Sequence, residues 1–218
     1  GARVGGPPGP RRRFHVSAWR GDPHVAVLSP APDHPGPGAS AIRAELARLH
    51  AAGIRRVLTG ALHEAELGPF LESGFHEHER LHLLRHDLVR LPEEVASVRM
   101  RRAWRRDLPA VLDIDARAFD EFWALDRRGL DDAVRATPVA RFRVTGGLPR
   151  PISGYAVTGL AADRGYLQRL AVDPSRHREG IGRALVADAL VWLRRRGARV
   201  AMVNTQERNA GALTLYRA

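Results

Sequence analysis

The segment Leu170-Ala171-Val172-Asp173-Pro174, followed by His177-Arg178-Glu179-Gly180-Ile181-Gly182-Arg183, holds the residue types best suited to chemistry in this chain. It reads as an apolar strand, a glycine loop and the start of an amphipathic helix. Backbone N–H groups at a helix start point outward together, and the helix dipole adds partial positive charge there. That arrangement holds phosphate, and His177, Arg178 and Arg183 bracket Gly180 and Gly182 with donors. A dinucleotide site would need a third glycine at Leu185 and an acidic residue about 20 positions further on. The following strand leads instead into Asn204 and Thr205. A triphosphate loop would need Gly-Lys-Ser/Thr, which is absent.

Composition narrows the chemistry further. Cysteine is absent, which excludes disulfides, thiolate metal ligation and a cysteine nucleophile, and no metal site is read from the remaining ligand types. The net charge of +11 suggests a polyanionic partner. All 35 basic side chains are arginine and they are scattered rather than striped, so a small anionic ligand is expected and a nucleic acid is not. No apolar run approaches the roughly 20 residues that cross a bilayer. A cytoplasmic protein without a membrane partner is expected, and a homodimer is compatible with the pattern.

The elements that must position the loop follow from periodicity. Residues 1–13 are rich in Gly, Pro and Arg and are expected to be disordered. Strands are predicted at Phe14–Trp19, His24–Leu28, Arg55–Thr59 and His78–Leu88, with helices at Ala41–Ala52 and ending near Glu72. A linker containing Pro92 separates a first lobe, 14–92, from a second, 97–218. The second is predicted as strand Val98–Ala103, helices Leu108–Ala118 and Asp126–Ala136, then strands Arg141–Thr145, Ser153–Leu160 and Gly165–Val172. Helix Arg183–Arg196, strand Arg199–Val203 and a helix from Asn209 complete it. Gly36-Pro37-Gly38 precedes Gly53 by the same spacing that separates Gly180-Ile181-Gly182 from Gly197. The lobes therefore read as two copies of one unit. Pro35 and Pro37 replace the counterparts of Glu179 and Ile181 and have no N–H to donate, so the first copy is expected to be degenerate.

Residues 98–218 resemble the GNAT superfamily of acyl-CoA-dependent N-acetyltransferases. The resemblance rests on Leu170-Ala171-Val172-Asp173-Pro174 with His177-Arg178-Glu179-Gly180-Ile181-Gly182, and on Asn209-Ala210-Gly211-Ala212-Leu213-Thr214-Leu215-Tyr216. It implies an α/β fold, a mixed and mostly antiparallel sheet flanked by helices, here as two related lobes in tandem. It implies transfer of acetyl from acetyl-CoA to a primary amine, either a small molecule or a peptide α-amine. The backbone of Leu170, Ala171 and Val172 would pair with the pantetheine arm. The stretch from His177 through Arg178, Glu179, Gly180, Ile181 and Gly182 to Arg183 would hold the pyrophosphate. Asn209 would contact the cofactor arm, and Tyr216 would protonate the departing thiolate. In the first lobe the tyrosine position is Phe70. The family normally continues past this tyrosine into Gly-Phe and at least one further strand, so by that resemblance a C-terminal strand is expected to be missing from the sequence read here.

Two departures bear on the acceptor. His177 stands where Arg or Gln is usual. The positions where family members carry a basic glutamate are Tyr166 and Asn204, and neither accepts a proton at neutral pH. A lysine amine is neutral in about one molecule in 2,500 at pH 7, whereas an α-amine is roughly 10% neutral. The missing base therefore favours an α-amine. The acceptor pocket is expected around Phe119, Phe122, Trp123 and Asp126, aromatic faces with carboxylates that suit a cationic amine. Asp120 and Glu121 are, with Asp126, candidates for a substitute base. A non-catalytic acyl-CoA-binding module is the competing reading.

Overall fold

The computed structural model describes residues 14–31, 36–92, 98–147 and 150–217. It divides into two compact units, Gly1–His78 and Glu79–Ala218. The stretch expected to be disordered (residues 1–13), Pro35, residues 93–96 of the expected linker and residue 97 lie outside the described residues.

In the first unit β1 (Phe14–Ala18), β2 (Val25–Pro30), α1 (Ala39–Ala51), β3 (Arg56–Thr59) and α2 (Glu64–Leu71) follow one another. The sheet order is β1-β2-β3, with β1 antiparallel and β3 parallel to β2. Phe14, Leu28, Ile42 and Phe70 form its buried core, one large side chain from each of β1, β2, α1 and α2. α1 ends where Gly53 turns to φ 87°, and the Ile54 N–H closes the helix on the Leu49 carbonyl at 3.1 Å. Only glycine takes that left-handed turn without steric cost.

The second unit is a six-stranded sheet in the order β4-β9-β8-β7-β6-β5. Its strands are β4 (Leu81–His86), β5 (Met100–Arg102), β6 (Val139–Gly147), β7 (Arg150–Ala161), β8 (Arg164–Val172) and β9 (Val200–Gln206). All neighbours are antiparallel except β8 and β9. The helices are α3 (Leu108–Ala118), α4 (Arg127–Arg135), α5 (Ile181–Arg195) and α6 (Ala210–Arg217).

Alternation along β7 assigns the two faces of this sheet. Tyr155 and Val157 pack with Leu108, Val111, Ile114 and Leu130 of α3 and α4. Ala156, between them, packs with Ile181 and Leu185 of α5. Buried positions in α5 recur at helical spacing, from Ile181 through Ala184, Leu185 and Ala189 to Leu193. Each fully buried Leu or Ile contributes about 1.5–3 kcal/mol. α5 ends as α1 does, with Gly197 at φ 83° and the Ala198 N–H on the Leu193 carbonyl at 3.0 Å.

The units differ from the expected lobes at one strand. Leu81–His86, read above as the end of the first lobe, pairs with β9 from Leu81↔Gln206 to His86↔Ala201 and forms an edge of the second sheet. Alternation fixes that a segment is a strand but not which sheet it joins, since its partner is more than a hundred residues away.

Candidate active site

β8 and β9 start side by side and then part. Their register runs only from Arg164↔Val200 to Tyr166↔Met202, although β8 continues to Val172 and β9 to Gln206. β8 remains paired with β7 on its other edge as far as Val172. The β9-facing edge of Leu167–Val172 therefore has no strand partner among the described residues. A β-bulge lies at the point of divergence, where Val157↔Arg169 gives way to Thr158↔Leu167 and Gln168 is left over. The extra residue bends β8 and re-aims the side chains that follow. Leu170, Ala171 and Val172 thus sit on a strand with one open edge.

The loop after β8 is braced by its own side chains. Asp173 Oδ1 accepts from the Ser175 N–H at 3.0 Å, the Ser175 hydroxyl at 2.8 Å and Arg117 Nη1 at 2.8 Å. These donors hold the Asp173 carboxyl below the ordinary carboxylate range, the Ser175 hydroxyl most of all. Arg176 grips Glu179 through two bonds of 2.6 Å, which lowers the Glu179 carboxyl in turn. A His177 ring nitrogen lies 3.2 Å from the Val172 carbonyl oxygen. His177 and Glu179 are thus engaged inside the loop, while Arg178 and Arg183 are exposed and have no ion-pair partner among the described residues.

The two glycines have different duties. Gly180 is the N-cap of α5 at φ 76° and offers no side chain to cap the helix. Arg178, two residues earlier, is also left-handed at φ 65°. Left-handed residues in such a turn converge backbone N–H groups, and the first N–H groups of α5 have no partner inside the helix. Gly182 lies inside α5, where an added Cβ would stand 3.1 Å from Leu215 Cδ2. Its bareness lets α6 approach α5, and α6 carries Tyr216.

Tyr216 and Asn209 are set by α6. The Asn209 Oδ1 accepts from the Ala212 N–H at 2.9 Å and so closes the first turn of that helix. Burial pushes the Tyr216 phenol up to about 12, against the opposing pull of the Arg169 guanidinium. It is a neutral acid throughout the physiological range. Its hydroxyl has no hydrogen-bond partner among the described residues, so its proton is uncommitted.

Under the α3–α4 face lies a polar core that sequence reasoning did not single out. Asp115 is fully buried; its Oδ2 receives Arg169 Nε at 2.7 Å and the Tyr155 hydroxyl, and its Oδ1 receives Arg169 Nη2 at 2.7 Å and the Leu125 N–H at 2.6 Å. Burial, and then the Asp115 charge, raise the Tyr155 phenol far above its ordinary value. The Arg169 guanidinium also covers the Phe119 ring at 3.5 Å from its centroid and donates to the Trp123 carbonyl at 2.8 Å. The signal was present: Asp115 falls on the apolar stripe with Val111 and Ile114, and Arg169 interrupts an apolar strand.

The expected acceptor residues separate into different roles. Phe119 packs on Arg169, and Asp126 caps α4 through the Gly129 N–H at 2.6 Å. Phe122 and Trp123 meet edge to face at 5.2 Å between centroids. The Trp123 indole N–H donates to Glu79 Oε2 at 2.6 Å, a residue that no motif or spacing singles out. Tyr166 and Asn204 lie on β8 and β9, and Asn204 is exposed opposite Leu83 of β4.

Residues 99–218 match the Acetyltransferase (GNAT) family. Over 110 residues the chain is 30% identical to the [ribosomal protein bS18]-alanine N-acetyltransferase of Escherichia coli K12, covering 50% of this chain and 71% of that enzyme.

The chain belongs to the GNAT acetyltransferase family.

As a GNAT protein it is an acyltransferase, and its fold agrees with solved members. A tandem GNAT protein from the clavulanic acid biosynthesis pathway aligns over 94% of this chain and 73% of its own, with TM-score 0.65 and 16% identity. A GCN5-related N-acetyltransferase from Kribbella flavida aligns over 83% and 71%, with TM-score 0.55 and 17% identity. Among the described residues no helix is long and apolar enough to cross a membrane.

Proposed function

We propose that the second unit transfers the acetyl group of acetyl-CoA to a peptide α-amine, and that the first unit is a degenerate copy without its own turnover. The observation that carries this reading is the convergence on one sheet of an open β8 edge, a donor-rich turn at Gly180 and a phenol that keeps its proton. Acetyl-CoA supplies the activated acetyl thioester. The open edge of Leu170–Val172 offers backbone groups to an extended, amide-bearing arm, as a missing strand would. The N–H groups from Arg178 to Arg183 and the exposed guanidinium groups of Arg178 and Arg183 bind the pyrophosphate. Asn209 keeps its amide NH2 for the arm while its oxygen caps α6.

Tyr216 protonates the sulfur as the C–S bond breaks and the amine nitrogen forms its bond to the carbonyl carbon. The proton shed by that nitrogen leaves through water and restores the phenol. No carboxylate stands at Tyr166 or Asn204 to strip an ammonium, so the site depends on an amine that is already partly neutral. An α-amine, near pKa 7.7–8.0, meets that condition far better than a lysine at about 10.4. The relationship to an enzyme named as a [ribosomal protein bS18]-alanine N-acetyltransferase supports the same acceptor class.

The test is CoA release across a panel of amines that includes alanyl peptides, lysine peptides and small diamines. Alanyl peptides are expected to be the best acceptors, with the rate levelling off near pH 8. A lysine peptide with no acidic limb below pH 8 would overturn the α-amine assignment. Binding of acetyl-CoA with no CoA release from any amine would favour an acyl-CoA-binding module instead.

A further inference from the structure

Glu79 is the first residue of the second unit, and its side chain is only 10% exposed. Its Oε2 is fixed by two neutral donors, the Trp123 indole at 2.6 Å and the Gln206 amide at 2.9 Å. Its Oε1 is buried and has no hydrogen bond. Arg208 Nε stands 2.9 Å from that oxygen, an ion pair without hydrogen-bond alignment. Arg208 Nη2 reaches Asp120 Oδ2 at 2.8 Å, while Asp120 Oδ1 accepts from the Trp123 N–H at 3.1 Å. Two carboxylates thus share one guanidinium, and that guanidinium belongs to a side chain that is 66% exposed.

The two cationic positions on this side of the sheet differ in kind. Arg169 is 12% exposed and bound bidentately to a fully buried Asp115, which makes it a fixed part of the core. Arg208 lies at the turn between β9 and α6, and its exposed side chain can swing into solvent. Its departure would strand Glu79 Oε1, a buried charged oxygen that needs a donor. Gln206, whose amide donates to Glu79, lies on the same face of β9 as Asn204, which is two residues, or about 7 Å, along that strand.

We propose that Glu79 and Asp120 form a guanidinium-binding subsite for the acceptor, and that Arg208 is a placeholder that an arginine side chain of the acceptor displaces. A guanidinium replaces a guanidinium, so the planar donor fork that the two carboxylates already hold is preserved. The subsite lies beyond the reacting amine. It selects peptides that carry an arginine a short distance from the N-terminus, and so deepens the α-amine reading on which it rests.

The experiment is calorimetric titration with alanyl peptide amides bearing one arginine at the second, third or fourth position. Matched peptides carry citrulline, which keeps the shape and loses the charge. At the best position the arginine peptide is expected to bind about tenfold more tightly than its citrulline twin, the size of one charge-assisted contact. Glu79→Gln keeps both neutral hydrogen bonds and should abolish that preference. Arg208→Gln, at an exposed position that leaves folding intact, should tighten the arginine peptide by about threefold, since the competitor is gone.

A clamp that is merely structural predicts the opposite, with Arg208→Gln weakening the peptide as Glu79→Gln does. That result, or the absence of an arginine preference at every position, overturns the subsite. CoA release on the same peptides separates the two readings. Binding with arginine preference but no acetylation upholds the subsite and removes the α-amine function; acetylation without preference does the reverse.

Discussion

The chain contains the same run of elements twice, β1-β2-α1-β3-α2 and β7-β8-α5-β9-α6, each with an antiparallel pair followed by a parallel one. Both parallel registers begin three residues after the helix-ending glycine, at Arg56 after Gly53 and at Val200 after Gly197. The final helices are equally long, and Phe70 and Tyr216 hold the same place in them. Against this shared skeleton the differences stand out. All of β3 is paired with β2, whereas β9 leaves β8 after three positions. α1 starts after Gly38 at φ −73°, two residues later than its counterpart, while α5 starts after a left-handed Gly180. Phe70 is a core residue, and Tyr216 carries a proton. A fold that is common to both units therefore cannot distinguish them; in the function proposed above, three local departures from it carry the chemistry.

The sharpest way to test that contrast is to make the second unit resemble the first. Tyr216→Phe installs the residue type found at Phe70. It should lower kcat by about 10²–10⁴, the usual worth of a positioned acid, while leaving the Kd for CoA unchanged by calorimetry. Equal loss of both would mean that Tyr216 holds the site together rather than donating a proton.

Next in size is the buried Arg169–Asp115 pair of the second unit. Arg169→Met strands the Asp115 carboxylate in the core and should cost about 3–5 kcal/mol by urea denaturation. The double change Arg169→Met with Asp115→Leu should recover much of that loss, because an apolar replacement leaves no buried charge uncompensated.

The glycine turns give a smaller, paired comparison. Gly180→Ala forces a side chain into left-handed geometry and should cost about 1–2 kcal/mol, with weaker acetyl-CoA binding. Gly36→Ala meets nothing within 4 Å and has no positive φ, so its effect should stay within about 0.5 kcal/mol. Similar losses at both positions would remove the distinction between the two loops.

The mildest effect concerns alkaline pH. Burial raises the folded-state pKa of Tyr216 above its unfolded value of about 10. Its contribution to stability is complete below the unfolded pKa and is lost as pH rises from there through about 12. Thermal melts of the wild type and Tyr216→Phe should therefore diverge above pH 10, the wild type losing Tm faster.

Much of this was legible in the chain itself. Helix α3 falls at Leu108–Ala118, the span its apolar spacing predicts, and β8 differs from its predicted start by one residue. Gly53 and Gly197 announced their helix ends because only glycine takes that turn cheaply. The two sequence motifs that carry the family resemblance, around Gly180 and at Asn209–Tyr216, were legible because a motif is a local matter of residue type and spacing. The division of labour between Gly180 and Gly182 was not, since it depends on Leu215 arriving from another helix. The same holds for Phe119 and Asp126, whose types suggested acceptor contacts but whose immediate neighbours are Arg169 and the α4 backbone.

By itself, then, the sequence determined the repeated skeleton and singled out the turn and the tyrosine on which the proposed function rests, all of which depend on residues close along the chain. Tertiary structure decided what distant segments do together. It placed Leu81–His86 against β9, brought Glu79 to Trp123, Gln206 and Arg208, and closed Arg169 on Asp115. The contacts around Glu79 join residues 44 to 129 positions apart. A charged residue's partner at that distance is set by the packing of the sheet and helices, and no local pattern encodes it.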